Sequence, residues 1–335
     1  MSLGTRLSGV VVGLTALVAL VALSGCEAPL NLERLAQEQA KPVLRFDQFQ
    51  AITNTGQVVV TVGSAGVVLN SKDGGATWQR QQLAGGPSLI DVTHCPDRTL
   101  VALDIRRNLW LSQDHGDSWE ARPIATTETP LALTCDPRNG LWVVGSFSTI
   151  LASADRGETW QEQSLDEDLM LSTVQFVEPG FAVITGEFGT VITSEDEGST
   201  WERAGELPSE FYPLAALFTS RTDGYIAGLN GQILHSADGG QSWTRQQTVT
   251  ESPLYGLAVQ DGQLYAAGDF GILLRQQGAR WVRQEHELPA FSYLRGVAPI
   301  NHHDLMLAGG MGALFRLPSD GAAENYAGQT LGLRP

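Results

Sequence analysis

At 335 residues, with 42% hydrophobic residues, 17% charged residues and 37 glycines, the chain is too apolar for disorder and long enough for two ordinary domains or one large β architecture. Its 37 acidic side chains outnumber 21 basic ones, for a net charge of −16, which argues against nucleic acid or anionic lipid headgroups as ligands. Lysine occurs only at Lys41 and Lys72, and no G-x-x-x-x-G-K-[ST] loop is present, which argues against nucleotide-driven chemistry.

The chain opens with one charge, Arg6, ahead of an apolar run from Val10 to Leu23, short of the roughly 20 residues that a spanning helix needs. The run ends in Leu23-Ser24-Gly25-Cys26, which resembles the bacterial lipobox. That resemblance implies a signal peptide over residues 1–25, cleavage before Cys26, and lipidation of Cys26 by several acyl chains, enough for a stable anchor. Glu27, rather than Asp, follows the cysteine; by resemblance to sorted lipoproteins this favours the outer membrane, with the protein facing the periplasm. Residues 26–44 then read as the acylated cysteine and a polar tether, whose reach when extended is roughly 60 Å.

The remainder repeats one sentence. Ser71-x-Asp73-x-Gly75-x-Thr77-Trp78 recurs around Asp114 and Trp119, Asp155 and Trp160, Asp196 and Trp201, and Asp238 and Trp243, with aspartates 41, 41, 41 and 42 residues apart. Two worn copies follow: Gly271 to Arg275 leads to Trp281 without the Ser-x-Asp, and Gly312 to Arg316 runs into Ser319-Asp320-Gly321 with no tryptophan. A short turn followed by an apolar strand precedes each copy, beginning at residues 63, 104, 145, 186, 228, 268 and 309. A fixed period near 40, at about four short strands per unit, predicts an all-β fold: a seven-bladed β-propeller with Asp-box hairpins over residues 45–330. Blade seven is weakly patterned after Arg316, and the alternating segment Pro42 to Phe46 is expected to complete it.

Each box reads as a hairpin between the third and fourth strands. Its aspartate accepts turn amides, its glycine takes a left-handed conformation, and its tryptophan packs between blades. Five aspartates in five blades lie too far apart for a metal or catalytic array, so the boxes are structural and neither a metal nor a cofactor is expected. The opposite face, made of second-to-third-strand turns and between-blade loops, is the candidate partner-binding surface. Its turns hold Arg106, Arg107, Phe147, Phe188 and Phe270, beside Glu187, Asn230, Asp269 and Met311. Its loops hold Phe211, Tyr212, Phe291 and Tyr293, beside Asp166 to Asp168, Glu210, Glu251 and Tyr255. Exposed rings amid polar loops suit protein recognition, although about half of them are expected to plug gaps between blades.

Tandem Asp-boxes in seven repeats behind a lipobox resemble the photosystem II stability and assembly factor family. The resemblance covers about residues 45–330 and implies a seven-bladed propeller that assists a membrane protein complex, with a basic patch docking a membrane-protein subunit. Arg106, Arg107, Arg275, Arg280, Arg283 and Arg295 are the arginines available for such a patch in this acidic chain. The expected partner is a membrane protein or membrane protein complex, the membrane is reached through the lipid anchor, and no nucleic acid is bound.

The competing class is a sialidase-like Asp-box glycoside hydrolase. Such enzymes need an arginine triad, a tyrosine nucleophile with a glutamate partner and an acidic proton donor. Their Arg-Ile-Pro signature is missing, Leu44-Arg45-Phe46-Asp47 being the nearest match, and no catalytic residues are assigned. His302-His303-Asp304 reads as a solvated turn. Cys95 and Cys135, 40 residues apart, fall at equivalent first-to-second-strand turns of adjacent blades. Two readings stand for them: a disulfide clamping blades two and three, or two buried free thiols.

Overall fold

The computed structural model describes residue 37 and residues 39–208, 211–286, 292–301, 303–318 and 324–325. Cys26, Glu210, Phe291, His302 and Ser319 to Gly321 lie outside the described residues, as does the signal segment. The chain divides into two units, Met1–Lys41 and Pro42–Pro335; the following concerns the second.

Seven four-stranded antiparallel sheets follow one another, each built from four consecutive strands. They are blade one (residues 49–82), two (89–123), three (130–164), four (171–206), five (213–245), six (254–283) and seven (294–325). Hydrophobic patterning sorts the strands radially. Second strands such as Val59–Gly63, Leu100–Asp104 and Leu141–Gly145 are buried throughout, because both sheet faces press against neighbouring blades. Fourth strands such as Gln79–Gln82 and Gln161–Ser164 are polar and largely exposed, so they form the outer rim.

The core is accordingly not single. Seven apolar clusters each join residues of two successive blades, the seventh joining blade seven to blade one. The Asp-box tryptophan belongs to the later blade of its junction: Trp119 packs with the blade-one valines, Trp160 with Val101 and Leu109, and Trp201 with Trp142. In the worn sixth blade Trp281 still fills this place, fully buried against Tyr225, whereas between blades six and seven Phe315 and Leu317 supply the bulk. The box glycine makes this packing possible. A Cβ on Gly198 (φ +85°) would lie 2.2 Å from the Trp142 ring.

The ring closes differently from the sequence-based expectation. Blade seven takes its fourth strand from its own end, Glu324–Asn325, paired with Arg316 and Phe315. Pro42 to Phe46 is not a strand. It folds instead as a latch across the seam between blades seven and one. The Asp47 carbonyl accepts the Gly312 amide of blade seven at 2.8 Å, Asp47 Oδ2 accepts the Leu44 amide at 2.7 Å, and Val43 is buried in the seam's apolar cluster. Arg80 of blade one grips the latch with a bidentate pair to Asp47 (2.7 and 2.8 Å) and a bond to the Pro42 carbonyl at 3.1 Å. The fork geometry of guanidinium on carboxylate, one strong hydrogen bond per oxygen, is a better use of this short segment than a fifth ladder partner.

Cys95 and Cys135 form a disulfide between blades two and three, with Cα atoms 5.1 Å apart. Asp91 reinforces the same junction, accepting the Leu133 amide across it at 2.9 Å.

Two outcomes are expected. Arg80→Met leaves the buried Asp47 carboxylate without its cation and lowers unfolding free energy by about 3 kcal/mol, read by urea denaturation; the added change Asp47→Leu recovers part of the loss if the pair acts as a unit. Breaking the disulfide lowers stability by about 2–4 kcal/mol, and the mature protein, denatured without reductant, shows no maleimide-reactive Cys95 or Cys135.

Candidate functional site

The Asp-boxes are self-contained. In the first, Asp73 accepts the Ser71 hydroxyl (2.7 Å), the Thr77 amide (2.8 Å) and the Thr77 hydroxyl (2.6 Å), while Ser71 Oγ accepts the Gly75 amide at 2.8 Å. The same bonds recur at Asp114, Asp155, Asp196 and Asp238. At Asp155 and Asp238 the Thr159 and Ser242 hydroxyls and amides hold the carboxyl down to about 2. At Asp114 burial opposes ionisation, but the bonds from Ser118 and Ser112 outweigh it and the result is again about 2. Both oxygens of each box carboxylate are thus engaged within their own turn. Among the described residues no group of three His, Cys, Asp or Glu side chains is placed to hold a metal.

The opposite face is built otherwise. In six blades the second-to-third-strand turn has two successive residues at positive φ: Ala65 and Gly66, Phe147 and Ser148, Phe188 and Gly189, Asn230 and Gly231, Phe270 and Gly271, Met311 and Gly312. This is the two-residue hairpin turn whose twist suits β-strands and whose favoured filling is Asn-Gly, as at Asn230-Gly231. Phe147, Phe188, Phe270 and Met311 hold the same left-handed backbone with a bulky side chain, at a cost of about 1–2 kcal/mol each. They are also 56, 77, 61 and 53% exposed. Blade two departs from the pattern, with only Arg107 at positive φ and Ile105 and Arg106 exposed beside it.

Inside this ring of turns lies the channel mouth, a cavity of about 260 Å³ lined by all seven first strands. Each first strand carries a register shift at its start. The extra residues are Gln50, Ile90, Leu131, Ser172, Leu214, Tyr255 and Arg295, and all seven line the cavity. Bulges re-aim side chains, and here they aim one per blade at the mouth. The mouth is therefore two-sided, polar at blades six, seven and one and apolar at blades two, three and five, with Ser172 of blade four set among the apolar residues. On the polar side Arg295 Nη1 donates to Gln50 at 3.2 Å, Gln50 to Tyr293 Oη at 2.8 Å, and Tyr293 to Gln48 at 3.1 Å. Asp91 of blade two also lines the cavity. Burial pushes its carboxyl up to about 6 against the opposing pull of the Leu133 and Val92 amides and of Arg295.

The nine residues expected to face a partner divide as follows. Phe147, Phe188, Phe270, Arg106 and Arg107 are exposed turn residues. Tyr293 belongs to the mouth, and Tyr212, half-buried, donates to Glu187 at 3.0 Å. Phe211 is a correction: it is 3% exposed and plugs the cluster between blades four and five with Phe181 and Phe218. Phe291 lies outside the described residues. The arginines do not form one patch: Arg106 and Arg107 cap blade two, Arg275, Arg280 and Arg283 share the outer hairpin of blade six, and Arg295 sits in the mouth. Arg45, from the nearest match to the sialidase signature, is exposed on the closing latch. Ile105, Met170, Leu229 and Phe46, all exposed, escaped the sequence reading, as did the bulges. The bulged residues recur at the box period but share no residue type, so the sequence carries no signal for them.

This geometry defines a single-ring, seven-bladed propeller with Asp-box hairpins on one face and exposed apolar turns on the other. Residues 111–210 match the family described as photosynthesis system II assembly factor YCF48. Among solved structures the chain is similar to one described as YCF48 bound to D1 peptide, at 17% identity and a TM-score of 0.66, over 82% of this chain and 92% of that one. It is similar also to YCF48 from Cyanidioschyzon merolae (16% identity, TM-score 0.65, 82% and 96% covered). An inactive virginiamycin B lyase from Staphylococcus aureus with quinupristin shares the fold at 12% identity (TM-score 0.70, 81% and 95% covered). No curated protein sequence matches the chain.

The titrations predict a stability profile. The Asp-box carboxyls lie below their ordinary value of 3.8 in the folded state, so their contribution is complete above pH 3.8 and is lost as pH falls towards 2. Asp91 is raised from 3.8 to about 6, so its contribution is complete below 3.8 and is lost as pH rises through 6. Thermal unfolding followed from pH 2 to 8 is expected to peak between these limbs, and Asp91→Asn to flatten the upper one only.

Proposed function

We propose that this chain is a non-catalytic accessory propeller, held by lipid at Cys26 on the periplasmic side of the outer membrane, that binds a partner protein during assembly or stabilisation of a membrane protein complex. The observation that carries this reading is the open face: large apolar side chains stand exposed at equivalent turns of blades three, four, six and seven, on a left-handed backbone that Asn or Gly holds at lower cost. The YCF48 structure with a D1 peptide supports it, as a YCF48-like ring holding a segment of another protein. No helix among the described residues is long and apolar enough to cross a membrane, and the attachment proposed here is the acylated cysteine.

The test is mild detergent extraction of the lipidated chain from its own host, followed by mass spectrometry of what co-purifies. A membrane protein recovered in stoichiometric amount from wild type, and lost with Cys26→Ser, is the expected result. Recovery of no membrane protein, or unchanged membrane fractionation of Cys26→Ser, overturns the reading.

A further inference from the structure

Phe147 and Phe188 occupy the same turn position in adjacent blades, and the loop between those blades joins them into one surface. Ser164 Oγ donates to the Phe147 carbonyl at 3.1 Å, and the Ser148 amide donates to the Leu169 carbonyl at 2.8 Å, so the blade-three turn is bonded to residues 164–169. The next residue, Met170, accepts the Glu187 amide at 2.9 Å and donates its own amide to Glu187 Oε2 at 3.0 Å, which bonds the same loop to the blade-four turn. Met170 is 41% exposed. The result is a continuous strip on which Phe147, Met170 and Phe188 stand out of a hydrogen-bonded backbone.

The strip is acidic. Asp166 and Asp168 are exposed within the loop, and Glu187 lies beside Phe188. Of the neighbouring cations, Arg203 is paired with Glu167 of the same loop and Arg107 donates to the Thr127 carbonyl at 2.8 Å. We infer that Phe147, Met170 and Phe188, with Asp166, Asp168 and Glu187 around them, form a docking strip for a polypeptide segment whose apolar side chains are flanked by Lys or Arg. The apolar side chains of the segment cover the exposed rings, and its cations meet Asp166, Asp168 and Glu187, none of which is ion-paired among the described residues. An anionic lipid surface is disfavoured by those same carboxylates. The inference rests on the partner-binding reading above and narrows it to one arc of the open face.

The strained turns supply a discriminating variant. Asn already fills the equivalent position at Asn230, so the pair Phe147→Asn and Phe188→Asn relieves the backbone while removing the rings. Fluorescence anisotropy with the full chain uses three labelled twelve-residue probes: alternating Leu and Lys, alternating Leu and Glu, and alternating Ser and Lys. The Leu/Lys peptide is expected to bind at least tenfold more tightly than the other two at low salt. The Asn pair is expected to lose at least tenfold in Leu/Lys affinity with Tm unchanged or raised, and Asp166→Lys with Asp168→Lys to weaken binding and flatten its salt dependence. Equal binding of the three probes, no binding of Leu/Lys, or an Asn pair that binds as wild type does overturns the inference. So does a Tm lowered by several degrees, which would make the rings structural, or capture of the chain by phosphatidylcholine vesicles that the Asn pair abolishes. If wild type and the Asn pair recover the same membrane protein from detergent extracts, the strip falls and the accessory role stands. If neither recovers one while the probes still discriminate, the strip stands and the assembly role falls.

Discussion

Everything in this molecule depends on closing a ring of wedges. A propeller blade buries nothing by itself; its second and third strands become a core only when blades stand on either side. The seven apolar clusters are therefore seven copies of one contact, and an unfilled junction would expose two blades at once. The seam between blades seven and one is where chain connectivity cannot help, since neither blade lends a strand to the other. Covalent continuity is replaced there by the Arg80–Asp47 fork, by the Gly312 amide on the Asp47 carbonyl, and by Asn54, which donates to the Pro299 carbonyl at 3.0 Å. Gly312 admits the latch because a Cβ there would lie 2.4 Å from the Leu44 carbonyl oxygen.

The blade count and the box hairpins were legible because both are periodic. The Asp73-to-Trp78 pattern specifies side-chain bonds as well as spacing, and five copies in register leave one architecture. What escaped reading was aperiodic or lay in the backbone. The 42–47 segment alternates like a strand, but alternation does not distinguish a ladder partner from a latch whose main bond is to a side chain 33 residues away. Glu324–Asn325, two residues without apolar pattern, gave no signal for the strand that took the place instead. Phe211 looks like Phe147 in composition, an aromatic in a polar loop, and only packing separates the ring buried against Phe218 from the ring in solvent.

The open face was legible in outline and not in its chemistry. Turn positions followed from the repeat, so Phe147, Phe188 and Phe270 could be named. Their left-handed backbone could not, because the Gly that marks the turn stands second, Ser148 replaces it in blade three, and the first residue carries no mark of its own. Asn230 is the one position where residue type and conformation agree. The basic patch that the family resemblance implies dissolves for a related reason: arginines near in sequence, such as Arg275, Arg280 and Arg283, belong to an outer hairpin, while Arg295 belongs to the channel.

The two faces show how one fold separates stability from recognition. An Asp-box turn needs its serine, aspartate, glycine and Ser/Thr for its own bonds, so its composition is tied to the fold wherever it occurs. The two-residue turn on the other side needs only positive φ twice, which a single Gly makes easy at the second place and merely expensive at the first. The first place is thus the cheapest site in each blade at which to change surface chemistry, limited by a strain of about 1–2 kcal/mol. Six such sites, with blade two the exception, stand around a mouth whose lining is likewise set by one bulged residue per blade. Ala65, Asn230, Phe188 and Met311 in equivalent positions show the freedom in use: the ring constrains where these side chains stand, and the partner is left to constrain what they are.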